Sequence, residues 1–280
     1  MKVGLAQITA EPYEVEQNRA LTIAAAEQAF ELGADVVILP ELSITGYSSD
    51  RERLLPLAEP VDGPTFEAWH TVAAQAGGLV VGGFCESSRE GIYNSAIAVG
   101  PDGLELHYRK VHPFAAEKLC FRPGDLGFPV AKTPVGTLGL CVCYDLRFVE
   151  VVRLLALRDA ELICVPTAWV AGYDREHHDE RGLCPQAHGA ILQANLSQVF
   201  IACSSQAGQR GGNEFLGSSI LVDPWGKLAG GPLPGDSDEI AVVEIDLADV
   251  ERAHLRGPLI TPREDRRTDV YGIWAGGDVL

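Results

Sequence analysis

Short apolar runs that alternate with longer helix-patterned segments constrain this chain more than any other feature. Val3–Ile8, Asp35–Leu39, Leu79–Phe84, Thr137–Val142, Leu162–Pro166 and Gln198–Cys203 are rich in Val, Ile and Leu and too short for helices. Such runs are expected as strands buried on both faces. Between them, residues 18–32 predict a helix that begins at Asn18 and ends with Gly33 in the C′ position. Gly63-Pro64 opens a second helix with Phe66, Trp69, Val72, Ala73 and Ala76 on one side. Arg147–Leu157 is a third, with Phe148, Val151, Val152, Leu154 and Leu155 as its apolar face, and 183–196 a fourth. Pro101-Asp102-Gly103 has the chemistry of a hairpin turn between Tyr93–Val99 and Leu104–Tyr108. Ser218–Val222 and Ile240–Ile245 complete the strands. No repeat, linker or low-complexity segment interrupts this order. One α/β domain over 1–256 is expected, with helices covering two packed sheets. The aperiodic tail, 257–280, is expected to pack on that domain or at an oligomer interface.

Charge narrows the partners. With 22 Lys and Arg against 39 Asp and Glu, the chain carries −17. No basic run offsets that field, so nucleic acid and anionic membrane surfaces are excluded as partners. No segment approaches the roughly 18 apolar residues that span a bilayer, and the N-terminus reads as a strand rather than a signal peptide. Seven cysteines are an odd number, spread through the expected core, so a complete disulfide framework is impossible. These features predict a cytoplasmic protein in which a cysteine is by default a small buried hydrophobe.

Three residues stand out, because each lies directly after an apolar strand, where a rigid sheet holds an exposed loop. Glu41 follows Asp35–Pro40, Lys110 follows Leu104–Arg109, and Cys143 follows Thr137–Val142. Taken singly, each has an ordinary reading as loop, surface or filler. Taken together they supply a proton acceptor, a cation for an oxyanion and a nucleophile, the parts needed to pass an acyl group from an amide to a thiol and then to water. A helix beginning near Arg147 and the Lys110 ammonium are expected to stabilise the Cys143 thiolate.

Pro40-Glu41-Leu-Ser-Ile-Thr-Gly-Tyr47, Tyr108-Arg-Lys110-Val-His-Pro-Phe114 and Cys141-Val-Cys143-Tyr-Asp-Leu-Arg-Phe148 resemble the three signature blocks of the nitrilase, or carbon–nitrogen hydrolase, superfamily. Phe121-Arg-Pro-Gly124 and Gly217-Ser-Ser-Ile-Leu-Val-Asp-Pro-Trp-Gly226 match supporting blocks. The resemblance runs from Met1 to about Ile245. It implies a four-layer α-β-β-α sandwich, assembly into a homodimer or larger homo-oligomer, and no metal or organic cofactor. It assigns Glu41 as general base, Lys110 as oxyanion stabiliser, Cys143 as nucleophile and Glu117 as the second glutamate. The backbone N–H of Tyr144 is expected to join Lys110 at the oxyanion. Cys-Tyr-Asp-Leu-Arg-Phe resembles the amidase branches, whereas nitrile hydrolysers tend to carry Trp-Glu or Gly-Glu after the cysteine. A small amide is therefore the expected substrate, with N-carbamoyl compounds and nitriles as alternatives.

Tyr47, Trp169 and Arg147 are further candidates for substrate contact, and loop 168–182, which includes Tyr173, is expected to wall the pocket. Arg147 lies where carbamoyl-amino-acid hydrolases grip a carboxylate, but a salt bridge with Asp145 or Glu150 explains it equally well. Gln193-Ala-Asn-Leu-Ser-Gln198 departs from the Arg-Ala-x-Glu-Asn-Gln of many amidases, which leaves the subfamily open. A Cys143–His112 pair is the competing catalytic arrangement. His177, His178, Asp179, Cys184 and His188 are a weak zinc candidate, since only Cys184 and His188 have helical i, i+4 spacing. Cys141-Val-Cys143 lacks the second pair of a metal site, and Gly77-Gly78 with Gly82-Gly83 lacks a phosphate-loop ending. A catalytically silent binding or assembly protein on the same fold is the reading from a different class.

Overall fold

Two similar βαβαβ units are joined and extended by antiparallel strands in the computed structural model, which describes residues 1–275, 278 and 279. The first comprises β1 (Lys2–Gln7), α1 (Val15–Glu31), β2 (Val36–Ile38), the single turn α2 (Arg51–Leu54), α3 (Pro64–Ala76), β3 (Leu79–Ser88), β4 (Gly91–Gly100) and β5 (Gly103–Arg109). The one-turn α4 (Glu117–Cys120) leads to β6 (Val130–Thr133), β7 (Gly136–Leu140), α5 (Val149–Leu157), β8 (Leu162–Pro166), α6 (Pro185–Ser197) and β9 (Phe200–Ser204). A small hairpin, β10 (Ala207–Arg210) with β11 (Asn213–Leu216), precedes β12 (Ile220–Val222), β13 (Leu228–Gly230), β14 (Glu239–Glu244) and α7 (Ala248–His254).

One six-stranded sheet has the order β14-β1-β2-β3-β4-β5 and the other β13-β12-β9-β8-β7-β6. Each has a parallel centre, β1-β2-β3 or β7-β8-β9, bounded by antiparallel strands. The period of two along β2 explains the layers. Val36 and Ile38 join the core that holds Leu138, Leu140, Leu162 and Phe200 of the second sheet. Val37 turns the other way, onto Ala25, Ala26 and Ala29 of α1 and Trp69 and Ala73 of α3. All three strand residues are 0% exposed, and burial of each stabilises the fold by about 1.5–3 kcal/mol. Helices α5 and α6 contribute Val151, Val152, Leu155, Ala187, Ala190 and Ala194 to the second half's core. The result is the expected α-β-β-α arrangement.

Local differences from the sequence expectations have identifiable causes. Helix α1 starts at Val15, not Asn18, because Asn18 is buried and bonds Glu11 and the Ile44 carbonyl instead of capping. Phe148 is extended, so α5 begins at Val149 and Cys143–Arg147 forms a separate tight 3-10 turn. Strands β6, β10, β11 and β13 are short and half-exposed, and lack an apolar run that would announce them. Beyond α7, Arg256 donates to the carbonyls of Asn195 and Pro224, and Arg263 to that of Ser197. Residues 276, 277 and 280 of the expected tail lie outside the described ones.

Two glycines permit close approaches that position the site. A Cβ on Gly83 would lie 2.7 Å from the Glu41 Cα, so glycine lets the segment after β2 cross over β3. A Cβ on Gly124 would lie 1.9 Å from the Arg109 carbonyl oxygen, where the Gly124 N–H meets the Lys110 carbonyl at 2.8 Å. Gly82 packs against Trp69, so the pair Gly82-Gly83 serves packing.

Candidate active site

The ends of the central strands meet on one side of the sandwich, where open α/β sheets commonly hold ligands. Glu41 follows β2. Its N–H donates to the Thr167 carbonyl at 3.2 Å, just past β8, and its own carbonyl accepts from Gln206 Nε2 at 2.9 Å, just past β9. The Glu41 backbone thus ties the two sheets together. Lys110 leaves β5, with its N–H on the Asn94 carbonyl at 2.8 Å. Glu117 opens α4, where its Oε2 accepts the Phe114 N–H at 3.1 Å.

Their side chains form one buried cluster. Lys110 Nζ lies 2.6 Å from Glu41 Oε1 and 2.9 Å from Glu117 Oε2, and all three residues are at most 1% exposed. Asn94 Nδ2 donates to Glu41 Oε1 at 2.7 Å, and the Tyr47 hydroxyl to Glu117 Oε1 at 2.7 Å. Two carboxylates therefore hold one ammonium, and Lys110 stays charged far above its ordinary range: burial alone would lower it, but Glu117 and Glu41 outweigh that. Glu41 moves up, chiefly through burial and despite Lys110. Its second oxygen, Oε2, is buried with no hydrogen-bond partner.

Cys143 is the one cysteine of the seven that is partly exposed; the other six are buried. It stands at φ 47°, a left-handed conformation that is costly for a residue with a side chain and found often at functional turns. Asp145 pins this turn. Its Oδ2 accepts the Val142 N–H at 3.0 Å and the Tyr108 hydroxyl at 2.7 Å, while Oδ1 faces His112 Nδ1 at 2.7 Å. The thiol itself is pushed well above its ordinary range by burial first and by the Glu41 charge second, against the opposing Lys110 ammonium and Ala168 N–H. Lys110 thus favours the thiolate as expected, but burial and the Glu41 charge outweigh it. A five-residue 3-10 turn supplies little dipole, and the nearby charges sum to one excess carboxylate.

In front of Cys143 lies a pocket of about 540 Å³ including its open mouth, lined by Tyr144, Leu146, Arg147, Trp169, Val170 and Tyr173 among others. Phe114 stacks edge-on to Tyr173 at 4.6 Å and tilts against Tyr144 at 4.9 Å. Trp169 is 2% exposed and lines this wall. Tyr47 is not among its lining residues; its ring packs with Ala168 and Val170 and its hydroxyl donates to Glu117. Arg147 lines it but pairs with neither Asp145 nor Glu150; Asp174 on the following loop holds its Nη2 at 2.8 Å. His112 is held by Asp145 and stacks on Phe148 at 3.6 Å, and does not line this pocket. The zinc candidates are dispersed: His177 faces Glu214, His178 the Leu216 carbonyl and His188 Asp179. Among the described residues no three His, Cys, Asp or Glu side chains are grouped to hold a metal, and no helix is long and apolar enough to cross a membrane.

Asn94, Asp145 and Gln206 were not singled out for the site by the sequence. A buried asparagine inside a strand is the one available hint for Asn94, since that residue type is depleted in strands.

Two helix-flanked sheets with this cluster at their strand ends are the architecture of a hydrolase that acts on carbon–nitrogen bonds other than peptide bonds. The chain belongs to the carbon-nitrogen hydrolase family, whose model matches residues 2–254. It is 32% identical over 273 residues to a nitrilase of Pyrococcus abyssi, covering 97% of this chain and 99% of that one. It is 30% identical over 284 residues to an N-carbamoylputrescine amidase of Solanum lycopersicum, covering 93% of this chain and 90% of the relative. The solved NitN amidase of Nesterenkonia sp. AN1 superposes with a TM-score of 0.79 at 28% identity, over 96% of this chain and 98% of that one.

Proposed function

We propose that the protein hydrolyses small amides to acid and ammonia through a thioester on Cys143. The observation that carries this reading is the unpartnered Oε2 of Glu41, a buried acceptor on the carboxylate whose charge acts on the Cys143 thiol. A raised thiol and a raised carboxylate suit a proton transfer that occurs only as the bond forms. Glu41 Oε2 accepts the thiol proton while sulfur attacks the amide carbon. The oxyanion is met by the Lys110 ammonium and the Tyr144 N–H. Collapse breaks the carbon–nitrogen bond, and the proton on Glu41 leaves with the amine as ammonia. Water then adds to the thioester, Glu41 takes its proton, and the carbon–sulfur bond breaks to return the thiol. Glu117 positions Lys110, and Tyr47 positions Glu117.

The amidase of Nesterenkonia supports an amide substrate, because a mutant of that enzyme is held in complex with butyramide. Ammonia release should be measured over aliphatic amides, N-carbamoyl amino acids and nitriles at equal concentration. Amides are expected to give the highest kcat/KM. A nitrile or N-carbamoyl compound that exceeds every amide would overturn the preference.

A homo-oligomer is the second part of this proposal. Val149 of α5 and Leu192 and Leu196 of α6 are 60%, 59% and 47% exposed, an apolar strip on the outer helices. A second copy would remove it from water. Size exclusion with light scattering should give a dimer or larger species, and Leu192→Glu should shift it toward monomer. A monomeric wild-type protein at micromolar concentration would end this reading.

A further inference from the structure

The acyl pocket contains one cation, and a carboxylate already holds it. Arg147 is the only charged side chain among the described lining residues, and its Nη2 lies 2.8 Å from Asp174 Oδ2. The two come from different elements. Arg147 ends the Cys143 turn, and Asp174 follows Tyr173, which closes the aromatic wall with Phe114. At 47% and 26% side-chain exposure such a pair adds little stability, so its consequence is the field it cancels. Deeper in, two carboxylates face one ammonium, and the whole chain carries −17. A carboxylate on the substrate would find no free positive partner along this path.

We propose that Asp174 is a specificity-determining residue: by neutralising Arg147 it makes the pocket select amides with uncharged acyl chains and reject those that end in a carboxylate. This rests on the amide-hydrolase reading above. Butyramide and succinamate form the test pair, since the second replaces the terminal methyl of the first with a carboxylate. Wild-type enzyme should favour butyramide in kcat/KM. Asp174→Asn keeps the size of the side chain and uncovers the guanidinium, so the succinamate-to-butyramide ratio should rise about tenfold, mainly through KM for succinamate. Adding Arg147→Gln to Asp174→Asn should erase the gain, which separates loss of charge masking from a disturbed loop.

A second readout needs no turnover. Alkylation of Cys143 by iodoacetate relative to iodoacetamide, followed by mass spectrometry, should rise by a similar factor in Asp174→Asn and fall back in the double variant. A wild-type preference for succinamate, or ratios unmoved by Asp174→Asn, would overturn the assignment. Absence of ammonia from butyramide with the iodoacetate response intact would count against the amidase reading alone and support the charge assignment.

Discussion

Cys143→Ala is expected to lower ammonia release by about 10⁴-fold or more while the fold persists. The substitution removes the sulfur to which the acyl group would bond, and neither Glu41 nor Lys110 can replace it. The structural cost is small, because Cys143 is partly exposed and alanine meets the same φ of 47°. Circular dichroism and a thermal melt within a few degrees of wild type would establish the retained fold. Activity above about 1% of wild type would remove Cys143 from the mechanism. Cys141→Ala is the matched control. That thiol is 0% exposed in the core two residues away, so its loss should cost packing while catalysis survives.

Lys110→Gln should damage both catalysis and stability. Loss of an oxyanion partner lowers kcat by about 10²–10³-fold. The glutamine also leaves Glu41 and Glu117 buried without their cation, a defect worth roughly 3–5 kcal/mol. One carboxyl then takes a proton, because like charges in one buried site cannot both stay ionised. That gives the pH dependence its sign. A carboxyl whose folded pKa rises above its unfolded value stabilises the fold at low pH, and the contribution is lost as pH rises through the folded pKa. The variant should therefore fall further below wild type at pH 8 than at pH 5, as thermal melts would report. His112→Gln provides the contrast. Its ring is committed to Asp145 and Phe148 and does not line the pocket, so activity should persist within about tenfold. The reverse outcome, with Lys110→Gln active and His112→Gln inactive, would favour a cysteine–histidine enzyme.

Much of this site was legible because its chemistry is concentrated where strands end. Glu41, Lys110 and Cys143 each follow an apolar run, and the folded chain brings Glu41 to 2.6 Å from Lys110 across an interval that no local pattern spans. Glu117 came only through resemblance, since a glutamate opening one helical turn has no distinguishing neighbours. Asn94 and Gln206 are neutral side chains remote in sequence, and their roles exist only once β4 and β9 lie beside the end of β2. Arg147 drew two candidate partners from its own neighbourhood, yet Asp174 holds it, 27 residues on.

Periodicity and strand-end chemistry, properties of neighbouring residues, pointed to the α/β class and to helices covering two packed sheets, and picked out Glu41, Lys110 and Cys143 as candidates whose roles came through the family resemblance. The protonation tendencies of those side chains, the left-handed turn at Cys143 and the masking of Arg147 were decided by tertiary structure alone. Each depends on burial and on charges brought together from distant segments, and in a low-dielectric interior these outweigh anything adjacent in the chain.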